Sequence, residues 1–295
     1  MSSNTPVAEF DVDSALVLRL LLDQHPDLAH LPLAALASGW DNAIFRLGDA
    51  LTVRMPRRQL GAELIRHEHR WLPVLAPTLP LSTPCPLRVG RPALGYPWHW
   101  SICPWLPGVP AAQTPPHDAI AAARALGTFV GALHVPAPAD APVNPFRGIP
   151  LAGRDERVRQ RIAQLGAAID GGAVARLWPR LLAQQPWRGA ALWLHGDLHA
   201  LNVLVHEGRV SAVLDFGDLT AGDPAPDLAI AWMLFSARER RVFRTARGST
   251  DHSLWARGRG WALVFALEYL ANSADNPLLY NLGERALAAV LADAQ

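Results

Sequence analysis

The chain has 295 residues, 50% of them hydrophobic and 18% charged, which supports one large or two modest folded domains and argues against general disorder. Its formal charge is +1 and all 27 basic residues are Arg. The basic footprint of a nucleic-acid binder is therefore missing, and so is any chemistry that needs a lysine, such as a Walker phosphate loop or a Schiff base. Residues 13–25, DSALVLRLLLDQH, repeat apolar positions at helical spacing behind a capping Asp or Ser and run into Pro26, which predicts a helix. Over 36–54, short apolar runs are separated by two turn signals, Gly39–Asn42 and Gly48-Asp49, predicting strand, turn, strand, turn, strand. Helical spacing returns at 62–75, where Pro73 is expected to end or bend the helix. On that helix Leu64, Glu68, Trp71, Leu72 and Leu75 fall on one face, so Glu68 points inward. A buried carboxylate demands a cation. Arg54, ending the strand LTVR, is the best candidate, with a salt bridge to a different Arg as the alternative. His67 and His69 fall elsewhere on the helix and are expected to be solvated. Two further apolar stretches follow at 86–90 and 97–105, the aromatic run Tyr96–Trp100 fitting an alternating strand.

Trp105-Leu106-Pro107-Gly108 reads as a hinge, and beyond it helical patterns dominate, at 118–134, 154–169, 173–184 and from 227 onward. The exception is 193–218. There Val203–Val205 and Val210–Leu214 flank the turn His206–Arg209 as a hairpin. Antiparallel pairing brings Asn202, before the first strand, beside Asp215, after the second, and Asp197 lies in the loop at the same end. Two carboxylates and an amide converging there suit a hard cation such as Mg²⁺. His195-x-Asp197-x-His199 taken alone suggests a transition-metal site, but no third imidazole or thiolate stands at a recognisable spacing. Asp227, between Pro226 and LAIAWMLF, reads as the cap of the following helix.

HGDLHALN at 195–202, followed by DFG at 215–217, resembles the catalytic and metal loops of the protein-kinase-like fold. The longer form, HGDLH then LDFGDLTAGDPAPDLA, resembles the aminoglycoside phosphotransferase family of small-molecule kinases. Ala200-Leu201 departs from the Pro-Gly common in that loop but leaves the ligand spacing intact. The resemblance implies a two-lobed α+β fold, with a small antiparallel-sheet nucleotide-binding lobe at 1–105, a larger helical catalytic and acceptor-binding lobe at 106–295, and ATP between them. Asp197 would be the carboxylate that orients and deprotonates the acceptor hydroxyl, Asn202 and Asp215 would hold Mg²⁺ against the nucleotide phosphates, and His195 would brace the loop. Arg54, held by Glu68, would contact the phosphates, and the turn carrying Ser38, Gly39 and Asn42 would cover the nucleotide. Pro104 to Leu106 would border the adenine, with Leu106 as donor because Pro104 has no N–H.

The acceptor implied is a small-molecule hydroxyl. An aminoglycoside leads, and macrolides, choline-like and metabolic alcohols stay open. The stretch after 190, with 12 acidic residues and 9 Arg, is only mildly acidic for a pocket that takes polycations. Asp218 and, less so, Asp223 are candidate contacts to substrate, and 144–155 either lines the acceptor pocket or merely connects helices. A non-catalytic kinase-like binding module is the competing class, against which the retained Asp197, Asn202 and Asp215 argue. A protein kinase is disfavoured because no activation segment follows 217. No nucleic-acid or membrane partner is expected: no stretch reaches about 18 uninterrupted apolar residues. The polar, acidic start MSSNTPVAEFDVD and only two cysteines, Cys85 and Cys103, suggest a cytoplasmic protein with free thiols.

Overall fold

The structure, a computed structural model, describes residues 6–248 and 251–293, without the Ser38 side chain. The chain divides into two compact units, Met1–Pro77 with Ser82–Leu106, and Thr78–Leu81 with Pro107–Gln295.

The first unit opens with helix α1 (Ser14–Gln24), whose N-cap Asp13 accepts the Leu16 N–H at 2.7 Å. Strands β1 (Leu33–Ser38), β2 (Asn42–Leu47) and β3 (Leu51–Pro56) follow, then helix α2 (Gln59–Leu75) and strands β4 (Arg88–Gly90) and β5 (Trp100–Pro104). They form a five-stranded antiparallel sheet in the order β1-β2-β3-β5-β4. Leu16, Val17, Leu20 and Leu21 of α1 share a core with Phe45, Leu47, Val53, Met55, Trp100 and Ile102 of the sheet.

Two expectations for α2 need correction. Its buried face is Gly61, Ala62, Ile65, Glu68, Leu72 and Leu75, with Leu64 only half-buried. A side chain at Gly61 would place its Cβ 2.7 Å from the Asp41 carbonyl oxygen. The helix therefore sits directly on the β1–β2 turn. Pro73 lies inside the helix, two residues before its end, where it removes one hydrogen bond and the Ala76 N–H still reaches the Leu72 carbonyl. His69 is not simply solvated: its Nε2 lies 2.6 Å from Ser101 Oγ on β5. Burial, then the charges of His99 and Arg54, lower its pKa to about 4, so the ring is neutral.

The second unit is largely helical. Strand β6 (Val109–Pro110) leads to α3 (Ala119–Leu133), α4 (Asp155–Leu165) and α5 (Gly171–Leu182). Strands β7 (Leu192–Leu194), β8 (Val203–His206), β9 (Arg209–Val213) and β10 (Thr220–Gly222) come next. Helices α6 (Ala225–Leu228), α7 (Ile230–Leu234), α8 (Ala237–Arg247), α9 (His252–Asn272) and α10 (Pro277–Ala292) complete it. The hairpin β8–β9 turns on Glu207 and Gly208, both at positive φ (50° and 75°), the pair a two-residue primed turn requires. Strands β6, β7 and β10 have no sequence signal, being two or three residues long. They nevertheless build two small sheets, β6-β8-β9 and β7-β10. Among the described residues no helix is long and apolar enough to cross a membrane.

Candidate active site

The two small sheets hold two loops between them. The chain leaves β7 into 195–202, enters the β8–β9 hairpin, and returns through 214–219 to β10, which pairs back onto β7. Val203 faces Val213 in the hairpin and the Leu214 N–H donates to the Asn202 carbonyl at 2.8 Å, so Asn202 and Asp215 do emerge at one end.

Hydrogen bonds fix the first loop from behind. The buried Asp227 carboxylate accepts the His195 N–H at 2.8 Å and the Gly196 N–H at 2.9 Å. It lies 3.0 Å from His134 Nε2. Arg247 donates to His134 Nδ1 at 3.0 Å, so the His134 proton sits on Nε2 and points at Asp227. Burial lowers the His134 pKa more than its hydrogen bond to Asp227 and the Asp227 charge restore it, in keeping with a neutral ring. Asp227 is thus no helix cap. It lies inside the four-residue α6, too short to need one, and clamps the loop instead. His195 bridges to the second loop: its Nδ1 accepts the Asp197 N–H at 3.3 Å and its Nε2 donates to the Leu214 carbonyl at 2.8 Å. Its ring packs on Phe216, centroids 4.7 Å apart. The loops also touch at Gly196 (φ 85°), where a Cβ would stand 2.4 Å from the Asp218 carbonyl oxygen. Asp215 takes a left-handed φ of 61° and is exposed, with the Gly217 N–H 3.4 Å from its Oδ1. A non-glycine residue held there is a strained feature of the kind that concentrates at functional sites.

Asp197 is 27% exposed and meets three neighbours. Its Oδ1 accepts from Arg147 Nη2 at 3.2 Å, its Oδ2 lies 3.3 Å from His199 Nε2, and its main-chain carbonyl accepts from Asn202 Nδ2 at 3.0 Å. Burial alone would raise the Asp197 carboxyl. The His199 charge and hydrogen bond and the Arg147 guanidinium outweigh it and hold the group well below the usual carboxylate range. The opposite holds for Asp218, raised by burial and then by the Asp197 charge, with Asn144 Nδ2 donating to its Oδ1 at 2.6 Å. Arg147 brings segment 144–155 to Asp197 and Asn144 brings it to Asp218, so it is more than a connection. Neither residue has a sequence signal beyond lying in a polar Gly/Pro-marked stretch. Asp223 faces inward, accepting from Arg257 Nε at 2.8 Å and Nη2 at 3.2 Å, with both side chains 3% exposed. This ion pair is part of the fold, not a contact for substrate.

In the first unit Arg54 and Glu68 form a two-pronged buried ion pair, Nη2 to Oε1 at 3.0 Å and Nη1 to Oε2. Removing the guanidinium leaves a carboxylate in a dry site, so Arg54→Ala should cost roughly 3–5 kcal/mol. Arg54→Lys should retain part of it, since a point charge serves one oxygen at a time. Urea midpoints of the two variants check this, and equal midpoints for Arg54→Ala and the parent would remove the pair from the stability account. Gly39 and Asn42 close the β1–β2 turn, Gly39 N–H to Asn42 carbonyl at 2.9 Å, and the Ser38 side chain lies outside the described residues. Pro104 ends β5 opposite Leu51, and the Trp105 N–H is taken by the Ala50 carbonyl at 2.7 Å, which leaves Leu106 as the next main-chain donor along the hinge.

The antiparallel sheet followed by a helical unit is the protein-kinase-like α+β architecture, and the class is that of small-molecule phosphotransferases. The chain belongs to the phosphotransferase enzyme family, whose sequence profile matches residues 32–261. The GDP complex of wild-type aminoglycoside 2'-phosphotransferase-IIIa superposes with a TM-score of 0.68 at 17% identity, covering 95% of this chain and 99% of that one. Macrolide 2'-phosphotransferase MphH from Brachybacterium faecium superposes with a TM-score of 0.62 at 26% identity, covering 94% of this chain and 99% of that one. The uncharacterized protein YcbJ of Bacillus subtilis (strain 168) is 35% identical over 77 residues, 26% of this chain and 23% of that protein's length.

Proposed function

We propose that the chain transfers the γ-phosphoryl group of ATP to a hydroxyl of a small molecule, with Asp197 acting on that hydroxyl. The observation that carries this reading is the convergence of Asp197, Asn202 and Asp215 at one end of the β8–β9 hairpin. Asn202 spends its Nδ2 on the Asp197 carbonyl, which leaves its amide oxygen as the atom for a cation, and Asp215 is exposed. Two protein oxygens on a rigid hairpin end fit Mg²⁺, which keeps waters and phosphate oxygens for the rest of its shell. Bound there, Mg²⁺ would neutralise charge on the nucleotide phosphates.

This chain's own contribution is positioning. The ionised Asp197 accepts a hydrogen bond from the acceptor hydroxyl and aims its oxygen at the γ-phosphorus. A new P–O bond forms as the bond to the β–γ bridging oxygen breaks, ADP departs, and the hydroxyl proton passes to the Asp197 carboxylate. A carboxyl held so far below its usual range is a weak base, so it takes the proton late, as a loose transition state allows. In the first unit the reading gives Arg54, oriented by Glu68, to a phosphate oxygen, the turn of Ser38, Gly39 and Asn42 to the nucleotide's cover, and Pro104 to Leu106 to the adenine. The relatives' names put aminoglycosides and macrolides first among acceptors to screen.

ADP release across a panel of hydroxylated antibiotics and metabolites tests the reading, and no release with any acceptor, together with no MgATP binding, would overturn it. Asp215→Ala should weaken MgATP binding by at least about tenfold, the loss of one charged ligand. Calorimetric titration with and without Mg²⁺ measures this, and unchanged Mg²⁺-dependent affinity would take Asp215 out of the metal site.

A further inference from the structure

Next to Asp197 the second unit gathers arginine against aromatic rings. Trp261, Phe265 and Tyr269 follow each other at four-residue steps on α9, ring centroids 5.8 Å and 6.1 Å apart. Arg147 lies over Phe265 at 4.8 Å and Arg154 over Trp261 at 6.0 Å. Tyr269 meets His199 edge-on at 5.9 Å, which ties the row to the Asp197 loop.

Two independent features of this row are out of balance. The first is charge. Among the described residues, Glu268 is the one carboxylate that pairs with Arg154 at 3.7 Å, Arg157 at 2.8 Å and Arg161 at 2.8 Å. Arg147 pairs with Asp197. Asp197 and Asp218 both lie beside Arg147, so the excess sits at Glu268, one carboxylate shared by three guanidiniums. Arg157 is 46% exposed, but the Arg154 and Arg161 side chains are only 12% and 8% exposed. The pKa of Arg154 is lowered, by burial first and by the neighbouring Arg147 charge next. A sheltered excess of cation calls for an anion.

The second feature is hydrogen bonding. Among the described residues, Arg147 Nε, Arg154 Nε, Trp261 Nε1 and Tyr269 Oη are buried atoms with no hydrogen-bond partner. Three of them can only donate, and the fourth donates as readily as it accepts. Half of the eight such atoms in the described residues sit in this one row. Buried polar atoms without partners are rare and ask for a missing one.

We propose that this arginine–aromatic row seats an anionic oxygen group, a carboxylate or a phosphate ester, on the hydroxylated acceptor, so that the enzyme's substrate is an anion and not a polycation. The inference rests on the phosphotransferase reading above and narrows it. An oxygen of such a group can serve Arg154 Nε, and its charge answers the guanidiniums that share Glu268. With Arg154 holding that group, the hydroxyl end of the acceptor is left to Asp197. A polycation would instead bring like charge to three guanidiniums that share one carboxylate.

The test uses the full chain saturated with MgADP and titrated calorimetrically with inorganic phosphate, with acetate and with kanamycin. One or both anions should bind saturably at millimolar levels, phosphate against acetate reporting which oxyanion the row prefers. Arg154→Gln should weaken that binding at least about tenfold, as losing one charge-assisted hydrogen bond requires, while leaving MgADP affinity in place. Arg154→Lys, which keeps the charge, should recover most of it. Anion binding that is absent, or that Arg154→Gln leaves unchanged, overturns the inference, as does binding only as an adventitious ion at sites the variant does not touch. Kanamycin binding to, or phosphorylation by, the parent chain that Arg154→Gln does not improve also overturns it while sparing the kinase reading. Failure of the parent chain to bind MgADP at all removes the kinase reading and the inference together.

Discussion

Asp197→Asn should lower phosphoryl transfer by about 10²- to 10⁴-fold, the range a positioned proton acceptor supplies, while MgATP affinity stays within a few-fold of the parent. The amide has the same shape, and the loop is fixed by atoms the substitution spares: the Asp197 N–H on His195 Nδ1, the Asp197 carbonyl on Asn202, and the Asp227 clamp. Only the charge and the proton-accepting oxygen are lost. The same change removes a partner from Arg147 and from His199, so a modest fall in stability should accompany it. The sign of that fall with pH is fixed. The Asp197 carboxyl sits lower in the folded chain than in the unfolded one, so its pairing stabilises the fold above about pH 4, the unfolded value, and fades as acid titrates the folded group. The gap between parent and variant midpoints should therefore close below pH 4. Single-turnover rates and nucleotide titration check the first part, and equal loss of rate and of MgATP affinity would contradict the division of labour between Asp197 and the metal ligands.

Asp227→Ala should be the most damaging single change for the fold around the site, at roughly 3–5 kcal/mol. The carboxylate is fully buried and accepts two main-chain N–H groups and the His134 imidazole. Alanine leaves all three donors without an acceptor. Asp227→Asn should come close to it, because the amide turns a donor toward one of those donors. Loss of the clamp frees residues 195 and 196, so kcat should fall further than the folded fraction alone accounts for. Urea denaturation with activity measured at saturating acceptor separates the two effects. A variant that keeps the parent's midpoint would show that water replaces the carboxylate.

Much of this was legible in the sequence because it depends on local periodicity. The hairpin Val203–Val213 and the Arg54–Glu68 pair follow from strand alternation and helical spacing, with the demand of a buried charge for a partner. What stayed hidden depends on contacts between distant segments. Asp227 reaches His195 across 32 positions and His134 across 93, and nothing local separates such a carboxylate from a helix cap. Arg147 meets Asp197 across 50 positions from an irregular loop that carries no period. The two-residue strand β6 and the three-residue strands β7 and β10 fall below the length at which alternation carries information. On α2, Glu68, Leu72 and Leu75 are buried as helical spacing requires, while Ile65 and the close-packed Gly61 take the places that apolar size alone would give to Leu64 and Trp71.

Gly196 carries a restriction on how this enzyme can diverge. Its φ of 85° and the Asp218 carbonyl, 2.4 Å from where a Cβ would stand, exclude a side chain there on two separate grounds. Substitution at this position cannot adjust the gap between the two acidic loops in small steps. Drift in sequence must leave that spacing unchanged, and any retuning toward a new substrate has to come from segments such as 144–155, which reaches Asp197 and Asp218 through side chains alone.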